Sequence, residues 1–157
     1  MFKRILVCLD GSDLAEQILP YAVEQAVRFE STVVLLRVVP WPIMVSPGIP
    51  GVAGEAFVNL GMERQVEQEE HKAELYLNTV AKRLLEENGL HANCVTMQGS
   101  PGQAIVQYAA RDKSELIAIA THGRSGPGRV IFGSVADFVL RQSGLPILLI
   151  RPGTSKG

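Results

Sequence analysis

Glycines 123, 126, 128 and 133, Arg124 and Arg129, His122 and Ser134 are gathered between Ala120 and Val135. Glycines let a backbone approach an anion, arginines bring positive charge, and Gly133-Ser134 opens a helical pattern whose first N–H groups lack intrahelical acceptors. The chemistry that suits this set is phosphate binding. Two better-known phosphate loops are excluded by spacing: Gly128 to Ser134 follows the Walker pattern but lacks its lysine, and Ile131 stands where a dinucleotide fingerprint needs its third glycine. His122 could act as an acid or a nucleophile beside a phosphate. With no second histidine or carboxylate near it in sequence, a loop-stabilising or phosphate-contacting role fits it better, and no catalytic residue is assigned. Arg124 and Arg129 either neutralise phosphate charge or are solvated loop residues.

Elements that could position such a loop are legible from apolar period. Ile5–Leu9 is an apolar run of strand length, followed by a helical repeat from Ala15 to Phe29. Thr32–Val39 reads as a second strand, Val66–Leu85 as a long amphipathic helix ended by Asn88-Gly89, and Ala92–Met97 as a third strand. Ser100-Pro101 opens a helix running to about Arg111, Leu116–Ala120 is the fourth strand, Val135 to Leu140 a last helix, and Pro146–Ile150 the fifth strand. Five near-continuous apolar strands alternating with four helices predict an α/β fold, a doubly wound five-stranded parallel sheet with helices on both faces. A flavodoxin-like (Rossmann-like) strand order, 3-2-1-4-5, brings Asp10 after strand one and the glycine loop after strand four to one crevice. Pro40 to Met62 holds four prolines and four glycines and reads as an irregular insertion, a ligand lid, subunit contact or disordered loop.

At 157 residues the chain fits one domain, residues 1–152, with a polar tail at 153–157. A net charge of −1 does not suggest a nucleic-acid partner. The short apolar stretch before Asp10 is too brief for a signal peptide or a membrane span, and a cytoplasmic location is expected. Cys8 and Cys94 fall in apolar runs without metal spacing and read as buried, reduced thiols; no metal site is expected. Glu63, Glu67, Glu69 and Glu70 alternate with Arg64 and Lys72 as on a solvated helix face. A receiver domain would need an aspartate ending strand three, where Met97-Gln98-Gly99 stands. A flavodoxin would place phosphate after strand one, where Asp10 and Asp13 repel it.

The segment Ile-Ala-Ile-Ala-Thr-His-Gly-Arg-Ser-Gly from Ile117, the nine residues between Gly123 and Gly133, then Gly-Ser-Val and the closing Leu-Pro-Ile-Leu-Leu-Ile-Arg-Pro resemble the universal stress protein family. The opening Lys-Arg-Ile-Leu-Val-Cys-Leu-Asp-Gly-Ser is similar to it as well, so the resemblance spans the chain. Its ATP-binding branch carries G-x2-G-x9-G-[S/T]; Gly123, Gly133 and Ser134 match, and Ala120 replaces the first glycine. The resemblance implies that Asp10 faces the ribose or adenine end of a nucleotide, that Val38 lines the adenine slot, and that Gly123, Gly133, Ser134 and Val135 bind phosphates. Asp10 has a plainer reading as a helix cap, a task open also to Ser12 or Asp13. Ala120 is tolerated if it keeps strand geometry and costs about 1 kcal/mol or more if positive φ is required.

The function expected is an adenine-nucleotide-binding stress-response or signalling protein with ATP or AMP, and Mg2+ where phosphates require it. The alternatives are a slow ATP hydrolase using His122 or Asp10, and a nucleotide-free interaction module. Missing lysine clamp and acid–base pair weigh against efficient phosphoryl transfer. An apolar edge at strand five, together with the resemblance, predicts a homodimer paired along that strand, with a further protein partner unspecified.

Overall fold

The computed structural model describes residues 1–42, 54–121 and 133–151, with side chains in the second stretch from residue 61. Its strands are β1 (Arg4–Cys8), β2 (Thr32–Val39), β3 (Ala92–Gln98), β4 (Leu116–Ala120) and β5 (Ile147–Ile150). All pair in parallel, in the order β3-β2-β1-β4-β5, as the sequence predicts. Alternation inside the apolar runs divides the core in two. Ile5, Val7, Val33, Leu35 and Ala118 face one set of helices, while Leu6, Val34, Leu36, Ile117 and Ile119 face the other. That two-sided burial is why these strands read as continuous rather than alternating.

The helices are α1 (Asp13–Glu16), α2 (Leu19–Phe29), α3 (Gly54–Asn88), α4 (Pro101–Asp112) and α5 (Ser134–Gln142). Two expectations need correction. The helix predicted over Ala15–Phe29 is two helices, giving five among the described residues instead of four. Pro20 cannot donate to the Glu16 carbonyl and its ring crowds that carbonyl. The chain turns there through three-residue bonds, Gln17 N–H to Leu14 O and Ile18 N–H to Ala15 O, both at 3.3 Å.

The second correction concerns Pro40–Met62. Its end is not irregular, because α3 already runs from Gly54 and is 35 residues long. No proline follows Pro50 in that stretch, and the two helical glycines, Gly54 and Gly61, each cost only about 1 kcal/mol relative to alanine. Residues 43–53 of the expected insertion lie outside the described residues. Ala73, Leu77, Val80 and Leu84 form the buried stripe of the C-terminal half of α3, and the last three join the core cluster on the sheet. Among the described residues no helix is long and apolar enough to cross a membrane.

Candidate functional site

In a parallel sheet of this order the topology reverses between β1 and β4, and the crevice beyond their carboxyl ends is where ligands collect. A cleft of about 350 Å³ lies there, walled by Cys8, Leu36, Val38, Ile105, Ile119 and Ala120, with Asp10, Arg37 and Glu69 as its charged groups and Val135 on a further wall. Its volume and largely apolar lining with few polar groups suit a small organic ligand. Of the predicted site residues, Asp10, Val38, Ala120 and Val135 are thus brought together. His122, Gly123 and Arg124 lie outside the described residues, as do Gly126, Gly128 and Arg129.

Asp10 is exposed just beyond β1, and its Oδ1 accepts from the Ser12 N–H at 2.8 Å and the Ser12 hydroxyl at 2.6 Å. Ser12 in turn caps α1, its Oγ accepting from the Ala15 N–H at 3.1 Å. The cap is therefore Ser12, and Asp10 orients it. Gly11 between them has φ of 88°, the left-handed region that glycine enters without strain.

Ala120 is the last residue of β4, in register with Ile150 of β5, and it is not among the described residues with positive φ. Strand geometry at this position tolerates the methyl group that replaces the motif's glycine. The next residue is one that sequence reasoning missed. Thr121 is buried; its N–H donates to Ile150 O at 2.9 Å and its Oγ1 accepts from the Gly133 N–H at 2.9 Å. This clasp joins the two ends of the glycine loop and commits the Gly133 amide internally. Gly133 becomes the N-cap of α5, with the Asp137 N–H bonded to its carbonyl at 2.9 Å. Ser134, Val135 and the following Ala136 present N–H groups that have no acceptor within the helix, and the exposed Ser134 adds a hydroxyl. A hydroxyl residue directly after an apolar strand and before a glycine loop was the available signal for Thr121.

Two of the four glutamates read as solvated are engaged. Glu69 lines the cleft and takes a 2.7 Å ion pair from Lys72, which holds its carboxyl below the ordinary value; Glu70 accepts from the Gln98 amide at 2.7 Å. Cys8, on the cleft floor, is buried, and burial pushes its thiol up to about 12. Cys94 is half-buried and likewise raised by burial. His71 and His91 are exposed.

A larger hollow of about 780 Å³ lies between α2 and α3. Its charged groups largely satisfy one another, Arg28 with Glu24 at 2.7 Å and Arg83 with Glu16, and it lies away from the strand ends. The smaller cleft is the one that lies at the switch point, and it is the one lined by Asp10, Val38, Ala120 and Val135.

Strand order and helices define a flavodoxin-like α/β domain with a cleft at the carboxyl ends of the first and fourth strands. The universal stress protein family model matches residues 1–151, and the chain belongs to that family. It is 27% identical over 153 residues to a universal stress protein of Methanocaldococcus jannaschii, covering 96% of this chain and 83% of the relative. Among solved structures, the universal stress protein UspA of Lactobacillus plantarum shares the fold with a TM-score of 0.78 at 22% identity, over 96% of this chain and 98% of the other. Two others were solved with nucleotides. One is a universal stress protein in complex with cAMP, with a TM-score of 0.61 at 18% identity over 97% and 98% of the two chains. The other is an Arabidopsis thaliana family member with AMP bound, with a TM-score of 0.58 at 18% identity over 98% and 94%.

Proposed function

We propose that this chain is an adenine-nucleotide-binding stress-response protein whose ligand lies in the cleft at the β1–β4 switch point. The observation that carries the reading is the convergence of Asp10, Val38, Ala120 and Val135 on one cleft of about 350 Å³. Val38 and Ile105 offer an apolar slot for a base, Asp10 an acceptor for sugar hydroxyls, and the start of α5 donors for phosphate. Family members solved with cAMP and AMP support the same ligand class. The glycine loop, with Gly123 and Arg124, completes the phosphate end in this reading. Calorimetric titration with AMP and ATP tests it: micromolar binding by the folded chain, weakened about a hundredfold by Val38→Asp, which buries a carboxylate in the base slot, is the expected result. Absence of binding to either nucleotide contradicts it.

The same reading includes a homodimer. β5 is an edge of the sheet, and all four of its residues, Ile-Leu-Leu-Ile, are only half-buried. Pairing with a second copy covers that apolar edge. Sedimentation at micromolar concentration should give a dimer, and a monomer would count against the pairing.

A further inference from the structure

Arg37 is a cleft residue that no motif assigns. Strand alternation sends Val38 toward α4 and α5 and Arg37 to the opposite face, where α3 lies. There the Arg37 guanidinium carbon sits 5.2 Å from the centre of the Tyr76 ring. Glu69 of the same cleft interacts with Arg37 electrostatically, and Gly11 packs against it. A Cβ placed on Gly11 would lie 3.0 Å from the guanidinium carbon and 3.1 Å from each terminal nitrogen, so the plane rests almost directly on the glycine backbone. The Leu9 N–H, bonded to Leu36 O at 2.9 Å, brings the chain across β2 so that Gly11 arrives at this spot.

The Arg37 guanidinium thus forms a platform touching both Tyr76 and Gly11, and Gly11 is the middle residue of the turn in which Ser12 holds Asp10. Tyr76 is itself anchored, since it packs against the core cluster containing Leu77 and Val80. The platform therefore connects the rigid half of α3 to the one turn that carries the Asp10 carboxylate. Only a planar cation can both stack on an aromatic ring and lie flat on a glycine, which is why lysine is not an equivalent here.

We propose that Arg37, in contact with both Tyr76 and Gly11, is a positioning residue that fixes Asp10 for recognition of a ligand's sugar hydroxyls. The inference rests on the nucleotide reading above and deepens it: the nucleotide class selected is one with an intact ribose, and selection depends on these two contacts and not on the charge of Arg37 alone.

The test compares the affinities of AMP and of its 2′-deoxy and 3′-deoxy analogues for the wild-type chain and for Arg37→Met, Arg37→Lys, Tyr76→Leu and Tyr76→Phe, with thermal melts to establish folding. Arg37→Met keeps the apolar stem and so guards against loss of fold. Wild type is expected to prefer AMP over at least one deoxy analogue by about tenfold or more, the value of a hydrogen bond to a charged acceptor. Arg37→Met, Arg37→Lys and Tyr76→Leu are expected to reduce that ratio to near one with the deoxy affinity little changed, while Tyr76→Phe retains it. A ratio that survives in Arg37→Met and Arg37→Lys overturns the positioning role, as does an equal loss for all ligands. Wild type that binds AMP and both analogues equally also overturns it and leaves the nucleotide reading intact, whereas wild type that binds none overturns both.

Discussion

Asp112 collects three donors at the end of α4: the Arg4 guanidinium, whose Nε lies 2.7 Å from Oδ2, the Ser114 hydroxyl at 2.8 Å, and the Tyr108 hydroxyl at 3.4 Å. The hydrogen bond from Arg4 is the main reason its carboxyl is held below the ordinary value, with burial opposing. A carboxyl lowered in the folded state stabilises the fold above the unfolded carboxylate value of about 4 and loses that contribution as pH falls through its own lower value. Asp112→Asn should cost about 1 kcal/mol at neutral pH, discounted because solvent reaches Arg4. Urea midpoints measured from pH 7 to pH 2 should converge for the two proteins in acid, and a constant gap would exclude the pair as the cause. At this scale the site was partly legible. Asp10 and Ala120 are placed by the ends of the first and fourth apolar strands, whereas Val38 and Val135 are named only through the family resemblance. Arg37, Tyr76 and Thr121 were not, because what matters about them is a neighbour far away in sequence: Gly11 for Arg37, and Gly133 for Thr121.

Helix contacts make the glycines of α3 and α4 opposite cases. Gly102 is buried in the first turn of α4, and a Cβ there would lie 2.8 Å from Phe138 Cδ1 and 3.0 Å from its Cβ, on the facing α5. Gly102→Ala should therefore force α5 outward and lower stability by about 1–3 kcal/mol, read as a fall in thermal midpoint. Gly61 has nothing within 4 Å of its missing Cβ. Gly61→Ala should raise stability by up to about 1 kcal/mol through helix propensity alone, and an unchanged or lower midpoint would mean that α3 gains nothing from continuity there. The same glycine explains a misreading. β2 and β4 are legible to their last residue because burial on both faces makes them almost wholly apolar, with Arg37 the one charged residue, whereas Gly54 and Gly61 resemble loop punctuation although no proline stops the helix. The break at Pro20 was hidden in the opposite way, since the buried apolar period continues from Ala15 and Ile18 through Leu19, Ala22 and Ala26 across a lost hydrogen bond.

For the molecule as a whole, the strand order was legible because alternating apolar strands and helices leave few right-handed ways to cross over. That order determines where β1 and β4 part and so where a ligand crevice can form. Two hollows compete for a ligand, the switch-point cleft and the larger one between α2 and α3. Backbone amide shifts of labelled protein titrated with AMP separate them in one experiment. Shifts concentrated at Asp10–Ser12, Val38–Val39, Ala120–Thr121 and Ser134–Val135 are the predicted result. An unperturbed spectrum, or shifts confined to Leu19–Arg28 and Arg83–Asn88, would contradict the assignment of the site.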